Sequence, residues 1–337
     1  MPSKLARLLI TSVLILLVSV GCTHQKSNRA EGKKVETVEA ESSKETEATL
    51  KEDGQVISME SITVPNYNPT LATYRMMYWS EGEETEAYVT APKDKGSYSL
   101  YVSCHGGWII PKNESHVTEV GGVIFDETVV KSASPNTITL FSMYRGYGKS
   151  EGTINGIKGN SIDTDNAIKA VQSYFNIHDD VPDLQDGQIN LEGVSMGGGV
   201  VLKLAAERKD IKSVIAVSPF VGMDIYIPWL EKHQGDPDWK AYYNEIVSIY
   251  GLANSENPKL PLLKEESIDY KTIEAPVLLI QGTDDSNIPW ETVQTFYKKM
   301  EKNKQKVTFK LVEGGNHALT SDRLILLHTI NDWYIKF

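Results

Sequence analysis

The chain has 337 residues, of which 40% are hydrophobic and 9% aromatic, which is enough for a substantial core and excludes disorder throughout. Its 34 Lys and Arg against 45 Asp and Glu give a formal net charge of −11. This charge argues against nucleic acid as a partner, because phosphate binding needs a basic face. The two cysteines are too few for a disulfide scaffold, and no Cys/His cluster has the spacing of a zinc site.

The first residues have the pattern of an export signal. Lys4 and Arg7 supply positive charge, and an apolar run of thirteen residues extends from Leu8 to Val20. A helix needs about 20 apolar residues to cross a hydrocarbon core, so this run is too short to span a membrane. We therefore expect a signal peptide over residues 1–21 rather than a transmembrane helix.

Cys22 follows this apolar run and Gly21 directly. The arrangement resembles the lipobox of bacterial lipoproteins, in which the signal is cleaved before the cysteine and the cysteine is acylated, with palmitate as a typical chain. The sequence departs from that pattern at Ser19, where leucine is usual. The alternative is an ordinary secretory signal with a cysteine there by chance. Both interpretations predict export, and the first adds a lipid anchor in the cell membrane or envelope.

Residues 22–55 are rich in Lys, Glu, Ser, Thr and Ala and contain no aromatic residue. Such a segment cannot bury enough apolar surface to offset the entropy lost on ordering. We expect a disordered tether that connects the lipidated cysteine to a globular domain over residues 56–337.

In the globular part, short apolar runs alternate with helix-like stretches, which predicts a mostly parallel central sheet with helices on both faces. Several of the later runs are apolar throughout, as expected of strands that are buried on both sides. The predicted strands lie at 56–64, 71–79, 85–91, 99–104, 136–144, 188–194, 213–218, 275–281 and 307–312. The predicted helices lie at 161–177, 196–209, 290–302 and 319–335.

Two parts of the chain depart from this alternation. The first three runs follow one another without helices, so they are expected to form an antiparallel edge. Residues 219–274 separate two predicted strands and contain several tryptophans and tyrosines. We expect this segment to be an insertion with its own packing, folded as a helical cap.

The motif G-x-S-x-G occurs twice, around Ser150 and around Ser195. A nucleophilic serine of this type needs a strand, a sharp turn and then a helix. Residues 189–192 are strand-like and residues 197–208 are helix-like, whereas Ser150 is followed by a loop sequence. Ser195 is therefore the candidate nucleophile, and Ser150 is expected to be a turn serine.

A serine hydroxyl needs a base and a third group that orients the base. After Ser195, one predicted strand ends before Asp284 and Asp285, and a later one ends before His317. Open α/β sheets place their sites at the carboxyl ends of strands, so these loops are expected to meet. Each residue alone has a simple structural interpretation, a turn or a helix cap. His105 and His328 are weaker candidates for the base.

These residues make the chain resemble the α/β-hydrolase superfamily, and more closely the prolyl-oligopeptidase-type catalytic domain and its esterase relatives, over roughly residues 85–337. Residues 282–289 fit the Gly-x-x-Asp-x-x-Val-Pro pattern of that group with Ile in place of Val. This match assigns the acid to Asp285 rather than Asp284. Residues 144–150 look like the family's Arg-Gly-x-Gly-x-Ser loop, which gives Ser150 a structural role.

Residues 105–108 look like the family's His-Gly-Gly oxyanion loop. A tetrahedral oxyanion needs preorganised donors, which we assign to the backbone N–H groups of Met196 and Trp108, with Gly107 as the alternative. Peptidase members often have proline after His-Gly-Gly and a nearby tyrosine hydroxyl, whereas this chain has Trp108. That side chain is expected to line an acyl or leaving-group pocket.

The leading hypothesis is a serine hydrolase that acts on carboxylic esters or short peptides through an acyl-enzyme, without metal or organic cofactor. A carboxylesterase is favoured over a prolyl-oligopeptidase-like peptidase, because only about 30 ordered residues precede the resemblance and no β-propeller can restrict the substrate. A non-catalytic binding lipoprotein on the same scaffold is an alternative, although no triad member is missing. A structural surface protein with an adhesive cap is a third.

Overall fold

The computed structural model describes residues 51–337 apart from positions 66, 121, 122 and 321. The predicted signal peptide, Cys22 and most of the predicted tether lie outside the described residues. The strands are β1 (Val56–Ser61), β2 (Leu71–Ser80), β3 (Glu83–Pro92), β4 (Ser97–Cys104), β5 (Glu119–Val120), β6 (Val123–Ile124), β7 (Ile138–Ser142), β8 (Asp183–Val194), β9 (Ile211–Val217), β10 (Val277–Gly282) and β11 (Val307–Val312). The α-helices are α1 (Ile157–Ile177), α2 (Met196–Glu207), α3 (Met223–Lys232), α4 (Pro237–Tyr250), α5 (Leu260–Glu265), α6 (Trp290–Lys302) and α7 (Arg323–Lys336).

One large sheet organises the described part of the chain, with the strand order β1-β2-β3-β7-β4-β8-β9-β10-β11. β1, β2 and β3 pair antiparallel, and β3 pairs antiparallel with β7. Every pairing from β7 to β11 is parallel. The predicted α/β architecture, with an antiparallel edge followed by a parallel sheet, is confirmed.

Residues 214–217 of β9 and 277–280 of β10 are all apolar because both faces of the sheet are covered. Along β9, Val214 and Ala216 belong to the larger hydrophobic core, whereas Ile215 and Val217 belong to a second cluster on the other face. This alternation follows from the two-residue period of a strand. The second cluster is closed by side chains of α7, one helical turn apart, namely Leu326, Ile330 and Trp333.

The insertion at 219–274 contains α3, α4 and α5, which confirms a helical cap. The rings of Tyr226 on α3 and Tyr242 on α4 are 6.0 Å apart and nearly perpendicular, so aromatic contacts pack these two helices together. Lys112, in the loop after β4, forms an ion pair with Glu245 on α4. The cap is therefore joined to the loop that follows the first parallel strand of the chain.

The segment between β4 and β7 contains elements that the sequence did not predict. It carries the short pair β5 and β6 and a 3₁₀ helix over Glu127–Ser132. Two-residue strands are too short to produce a periodic hydrophobic pattern, so sequence periodicity cannot detect them.

Candidate active site

Ser195 occupies a sharp turn between β8 and α2. Its backbone has φ 59° and ψ −120°, a region that residues with a side chain rarely adopt. The turn is held by two backbone hydrogen bonds, from the Ser195 N–H to the Val217 carbonyl at 2.9 Å and from the Phe220 N–H to the Ser195 carbonyl at 3.0 Å. The strand–turn–helix context required of a nucleophile is present at this serine.

The two glycines of the motif are required by close backbone contacts. A Cβ at Gly193 would lie 2.1 Å from the Gly197 carbonyl oxygen, and a Cβ at Gly197 would lie 2.1 Å from the Cys104 carbonyl oxygen. Neither position has room for a side chain, so α2 packs against β8 and β4 only because glycine occupies both.

Ser150, in the second copy of the motif, has a different environment. Its side chain is fully buried, and its hydroxyl accepts a hydrogen bond from the Glu86 N–H at 2.9 Å. In the same loop, the Arg145 guanidinium bonds the buried carboxylate of Asp163 at 2.8 Å. These contacts fix the loop after β7 and give Ser150 a structural position.

The structure brings Asp285 and His317 together from the loops that follow β10 and β11. Nδ1 of His317 lies 3.0 Å from Oδ1 and 2.8 Å from Oδ2 of Asp285. Oδ1 also accepts hydrogen bonds from the backbone N–H groups of Asn287 at 2.8 Å and Ile288 at 2.9 Å, while Gln281 Nε2 donates to Oδ2 at 2.8 Å. The carboxylate is therefore held from several sides.

These contacts set the charge of the Asp285 carboxyl. Burial alone raises its pKa, but the hydrogen bond and charge of His317 and the two backbone N–H groups outweigh burial and bring the pKa below its usual value. Asp285 is consequently ionised at neutral pH. The neighbouring Asp284 is exposed, and its carboxylate accepts a hydrogen bond from the Thr283 hydroxyl at 3.2 Å.

Ser195 and Asp285 line the same cavity, and no hydrogen bond joins the Ser195 hydroxyl to His317 in the described structure. In free enzymes such bonds are often long and tighten when substrate binds. The His317 backbone is fixed beside the nucleophile, because its carbonyl accepts a hydrogen bond from the Ser218 hydroxyl at 2.8 Å.

The loop over 105–108 lies next to the nucleophile. A Cβ at Gly106 would lie 3.2 Å from Cβ of Ser195. The Trp108 N–H donates to the hydroxyl of Tyr147 at 3.3 Å, and a Cβ at Gly107 would lie 2.4 Å from that hydroxyl oxygen. Tyr147 thus fixes the segment that carries Trp108 and Gly107, the two alternatives for the second oxyanion donor.

Sequence reasoning missed two residues that support this arrangement, Tyr147 and Gln281. Tyr147 is fully buried, which raises its pKa and keeps the phenol protonated. Its partner Trp108 is 39 positions away in the chain. The only available signal was that Tyr147 sits within the Arg-Gly-x-Gly-x-Ser loop, which suggests proximity but not the contact.

His105 does not contact the reacting groups. Its ring nitrogens lie 2.7 Å from the Gly106 carbonyl and 3.4 Å from the Met143 carbonyl, among aromatic side chains. Burial lowers the pKa of this histidine to about 4. His328 is exposed on α7, so neither histidine competes with His317 for the role of base.

A cavity of about 770 Å³ opens beside Ser195 between the cap and the carboxyl ends of the strands. Its walls come from the loop after β4, from cap helices α3 and α4, and from the loop that carries Asp285 into α6. The lining residues are Gly107, Trp108, Ile109, Ser195, Tyr226, Trp229, Asp236, Asp238, Trp239, Tyr242, Thr283, Asp285, Ser286, Asn287, Ile288, Pro289, Trp290 and Glu291.

Residues 51–337, with the gaps given above, contain neither a cluster of metal-ligating side chains nor a helix that could span a membrane. No group of three or more His, Cys, Asp and Glu side chains there could hold a metal ion. None of the helices in this range has both the length and the apolar character of a membrane span.

Comparison with known proteins places this geometry in a family. Residues 169–336 match the model of the prolyl oligopeptidase family. No curated protein sequence is significantly similar to the chain.

Solved structures share the fold at low sequence identity. Acetyl xylan esterase 1 from Thermoanaerobacterium sp. is 18% identical with a TM-score of 0.58, over 81% of this chain and 86% of that one. The cell-wall-degrading esterase LipA from Xanthomonas oryzae is 14% identical with a TM-score of 0.59, over 85% and 99%. The acylaminoacyl peptidase of Pyrococcus horikoshii is 14% identical with a TM-score of 0.59, over 79% of this chain but only 42% of the peptidase.

The fold and the family match define the protein as a serine hydrolase of the α/β-hydrolase superfamily. Within that superfamily, it carries a catalytic domain of the prolyl oligopeptidase family.

Proposed function

We propose that this protein is an exported, lipid-anchored serine esterase that hydrolyses carboxylic esters through an acyl-enzyme on Ser195. The observation that carries the proposal is the Asp285–His317 pair, 2.8 Å apart at its closest, in the loops beside a serine held at φ 59°. The nucleophile, the group that orients the base and the base thus follow the carboxyl ends of β8, β10 and β11, three parallel strands of one sheet.

The proton path follows from the orientation of the histidine. Nδ1 of His317 faces Asp285, which leaves Nε2 to take the proton of the Ser195 hydroxyl as it attacks the ester carbonyl. The ionised Asp285 holds this tautomer and stabilises the imidazolium that forms. His317 then gives the proton to the leaving alcohol and, in the second half of the reaction, activates water to release the acid.

The developing oxyanion needs two donors. The first is the backbone N–H of Met196, which begins α2 directly after the nucleophile, so the helix dipole also favours negative charge there. The second comes from the segment Gly107–Trp108. Because the Trp108 N–H already has an acceptor in Tyr147, the Gly107 N–H is favoured for this role.

An alternative is a peptidase acting on short substrates. The match to the prolyl oligopeptidase family and the similarity to acylaminoacyl peptidases favour it. The chain spans about two-fifths of the length of those peptidases, whereas it spans most of the two esterases described above.

The experiment that separates the two is hydrolysis of short-chain nitrophenyl esters beside aminoacyl and dipeptidyl nitroanilides, with Ser195→Ala as the blank. Ester turnover that the variant lacks supports the esterase. Anilide turnover at comparable kcat/KM would replace it with the peptidase, and no serine-dependent turnover on either would count against both.

The anchor is proposed from the sequence alone, from the apolar run that ends at Cys22. Cys22→Ser is expected to move the protein from the membrane fraction to the soluble or secreted fraction. If the variant remains in the membrane fraction, lipidation at this cysteine is wrong.

A further inference from the structure

The cavity beside Ser195 has an uneven charge distribution. Four of its lining side chains are carboxylates, and none of the described lining residues is Lys, Arg or His. Asp285 is hydrogen-bonded to His317, and the other three carboxylates have no Lys, Arg or His among the described lining residues to balance their charge. They are Asp236, Asp238 and Glu291.

The same walls are strongly aromatic. Four tryptophans and two tyrosines line the cavity, a concentration that a general ester pocket does not need. Trp229 and Trp239 meet edge to face with ring centroids 5.1 Å apart, and the ring of His233 stacks on one face of Trp229 at 3.7 Å. The face of an indole ring is negative and attracts a cation within about 6 Å of its centre.

Carboxylate and indole are adjacent on two separate walls. On the cap, Asp238 precedes Trp239 in the first turn of α4, and on the opposite chain segment Trp290 precedes Glu291 at the start of α6. The pairing recurs on elements about 50 positions apart in the chain, both of which border the cavity.

Helix capping accounts for only part of this charge. One oxygen of Asp236 caps α4, accepting hydrogen bonds from the N–H groups of Asp238 at 2.9 Å and Trp239 at 3.3 Å. Serine, threonine and asparagine cap helices as well as aspartate does, without bringing a charge. Among the described residues, the second carboxylate oxygen of Asp236 and both oxygens of Asp238 have no hydrogen-bond or ion-pair partner, and both side chains are exposed.

We propose that the substrates of the Ser195 site carry a positively charged ammonium group, which binds between the cap tryptophans Trp229 and Trp239 and the carboxylates Asp236 and Asp238. This inference rests on the proposed acyl-enzyme chemistry at Ser195. It specifies the charge of the substrate. The charge determines which of the esters or amides that the triad could cleave are bound.

Isosteric pairs test the charge directly. Acetylthiocholine and the thioacetate of 3,3-dimethylbutane-1-thiol differ only in a quaternary nitrogen against carbon on the leaving-group side. The nitrophenyl esters of 4-(trimethylammonio)butanoic acid and 5,5-dimethylhexanoic acid differ in the same single atom, on the acyl side. With the full-length protein we expect the cation to be preferred by about tenfold or more in kcat/KM in at least one pair.

The carboxylates are tested by Asp236→Asn/Asp238→Asn, since asparagine keeps the helix cap and removes the charge. We expect the ratio of kcat/KM within the preferred pair to fall severalfold. The matched control is Asp179→Asn/Asp180→Asn, which makes the same change in net charge on two exposed residues beyond the far end of α1. The control should leave the ratio unchanged.

A binding measurement separates this inference from the proposed function. Tryptophan fluorescence of Ser195→Ala should report binding of choline but not of its neutral isostere 3,3-dimethylbutan-1-ol. Adding Asp236→Asn/Asp238→Asn to this variant should weaken the binding of choline. Serine-dependent turnover without preference for the cation in either pair would overturn the inference and leave the esterase intact. Faster cleavage of acetylated glucose than of acetylthiocholine would also overturn the inference. Absence of all turnover, with choline binding retained, would instead reject the proposed function and keep the cation site.

Discussion

Glu192 on β8 accepts a hydrogen bond from the hydroxyl of Tyr334 on α7 at 3.2 Å, and a second one from the hydroxyl of Tyr101 on β4. The strand that ends at the nucleophile is thereby joined to the last helix of the chain through a buried carboxyl. Glu192 has no solvent contact that would stabilise its charge, and burial raises its pKa to about 7 although both tyrosine hydrogen bonds act to lower it.

Glu192 makes stability depend on pH. An unfolded glutamate loses its proton near pH ~4.3, whereas folded Glu192 keeps it to about 7, so the folded chain binds more protons in this interval. The free energy of unfolding therefore falls as pH rises through this range. Glu192→Gln is neutral at every pH. Its thermal unfolding temperature should equal that of the wild type near pH 4 and exceed it increasingly towards pH 8. Equal pH dependence of Glu192→Gln, the wild type and the exposed control Glu256→Gln would contradict this assignment.

The backbone of Ser195 predicts a difference between two inactive variants. Ser195→Ala removes the nucleophile but keeps a Cβ at φ 59°, whereas Ser195→Gly also removes the strain of that conformation. Both should lose turnover by at least ~10³-fold. In thermal or denaturant unfolding, the glycine variant should be more stable than the alanine variant by about 1 kcal/mol. Equal stability would mean that the turn stores no strain.

Asp285→Asn tests the orienting role of the carboxylate. An amide nitrogen in place of Oδ2 would face both Nε2–H of Gln281 and Nδ1–H of His317, and in place of Oδ1 it would face the backbone N–H groups of Asn287 and Ile288. In either orientation a donor meets a donor, so the histidine tautomer is no longer held. We expect kcat to fall by about 10⁴-fold in steady-state hydrolysis.

The same variant has a stability signature. The pKa of Asp285 is lowered in the folded state, so its charge stabilises the fold above the unfolded value of ~3.9, and this contribution is lost as pH falls through the folded pKa. Asp285→Asn should therefore be less stable than the wild type at neutral pH, and the gap should close in acid. If the difference in stability between the wild type and Asp285→Asn widens in acid, the pKa of Asp285 is raised, and not lowered, in the folded state.

Tyr147→Phe tests the support of the oxyanion loop. The substitution removes the acceptor of the Trp108 N–H while leaving the buried ring in place. We expect kcat to fall about tenfold with little change in KM, because the loop loses its fixed position relative to the oxyanion. The control Tyr250→Phe removes a buried hydroxyl that has no hydrogen-bond partner among the described residues, and it should leave kcat unchanged. An unaffected kcat in Tyr147→Phe would show that the loop is held by its other contacts.

The sequence predicted the structure best for elements whose position follows from a regular pattern of burial. Strands such as β9 and β10 are covered on both faces, so each contains four consecutive apolar residues and is easy to locate. The loops of Asp285 and His317 could be paired because the ends of neighbouring parallel strands lie side by side. What sequence could not supply are contacts such as Trp108–Tyr147 and Gln281–Asp285, which depend on how loops without periodicity close over the site. The cap was predicted as helical, but the tryptophans that it turns towards Ser195 follow from tertiary packing alone.

The cap and the triad belong to different stretches of the chain. Helix α3 of the cap contacts the loop of Asp285 through the Tyr226 hydroxyl, which donates to the Asn287 carbonyl at 3.3 Å, yet none of Ser195, Asp285 and His317 lies in the insertion. Under the proposed function, bond cleavage and substrate choice are encoded by separable segments. A library of variants restricted to residues 223–250 would sample new substrates while every member keeps the same reacting atoms.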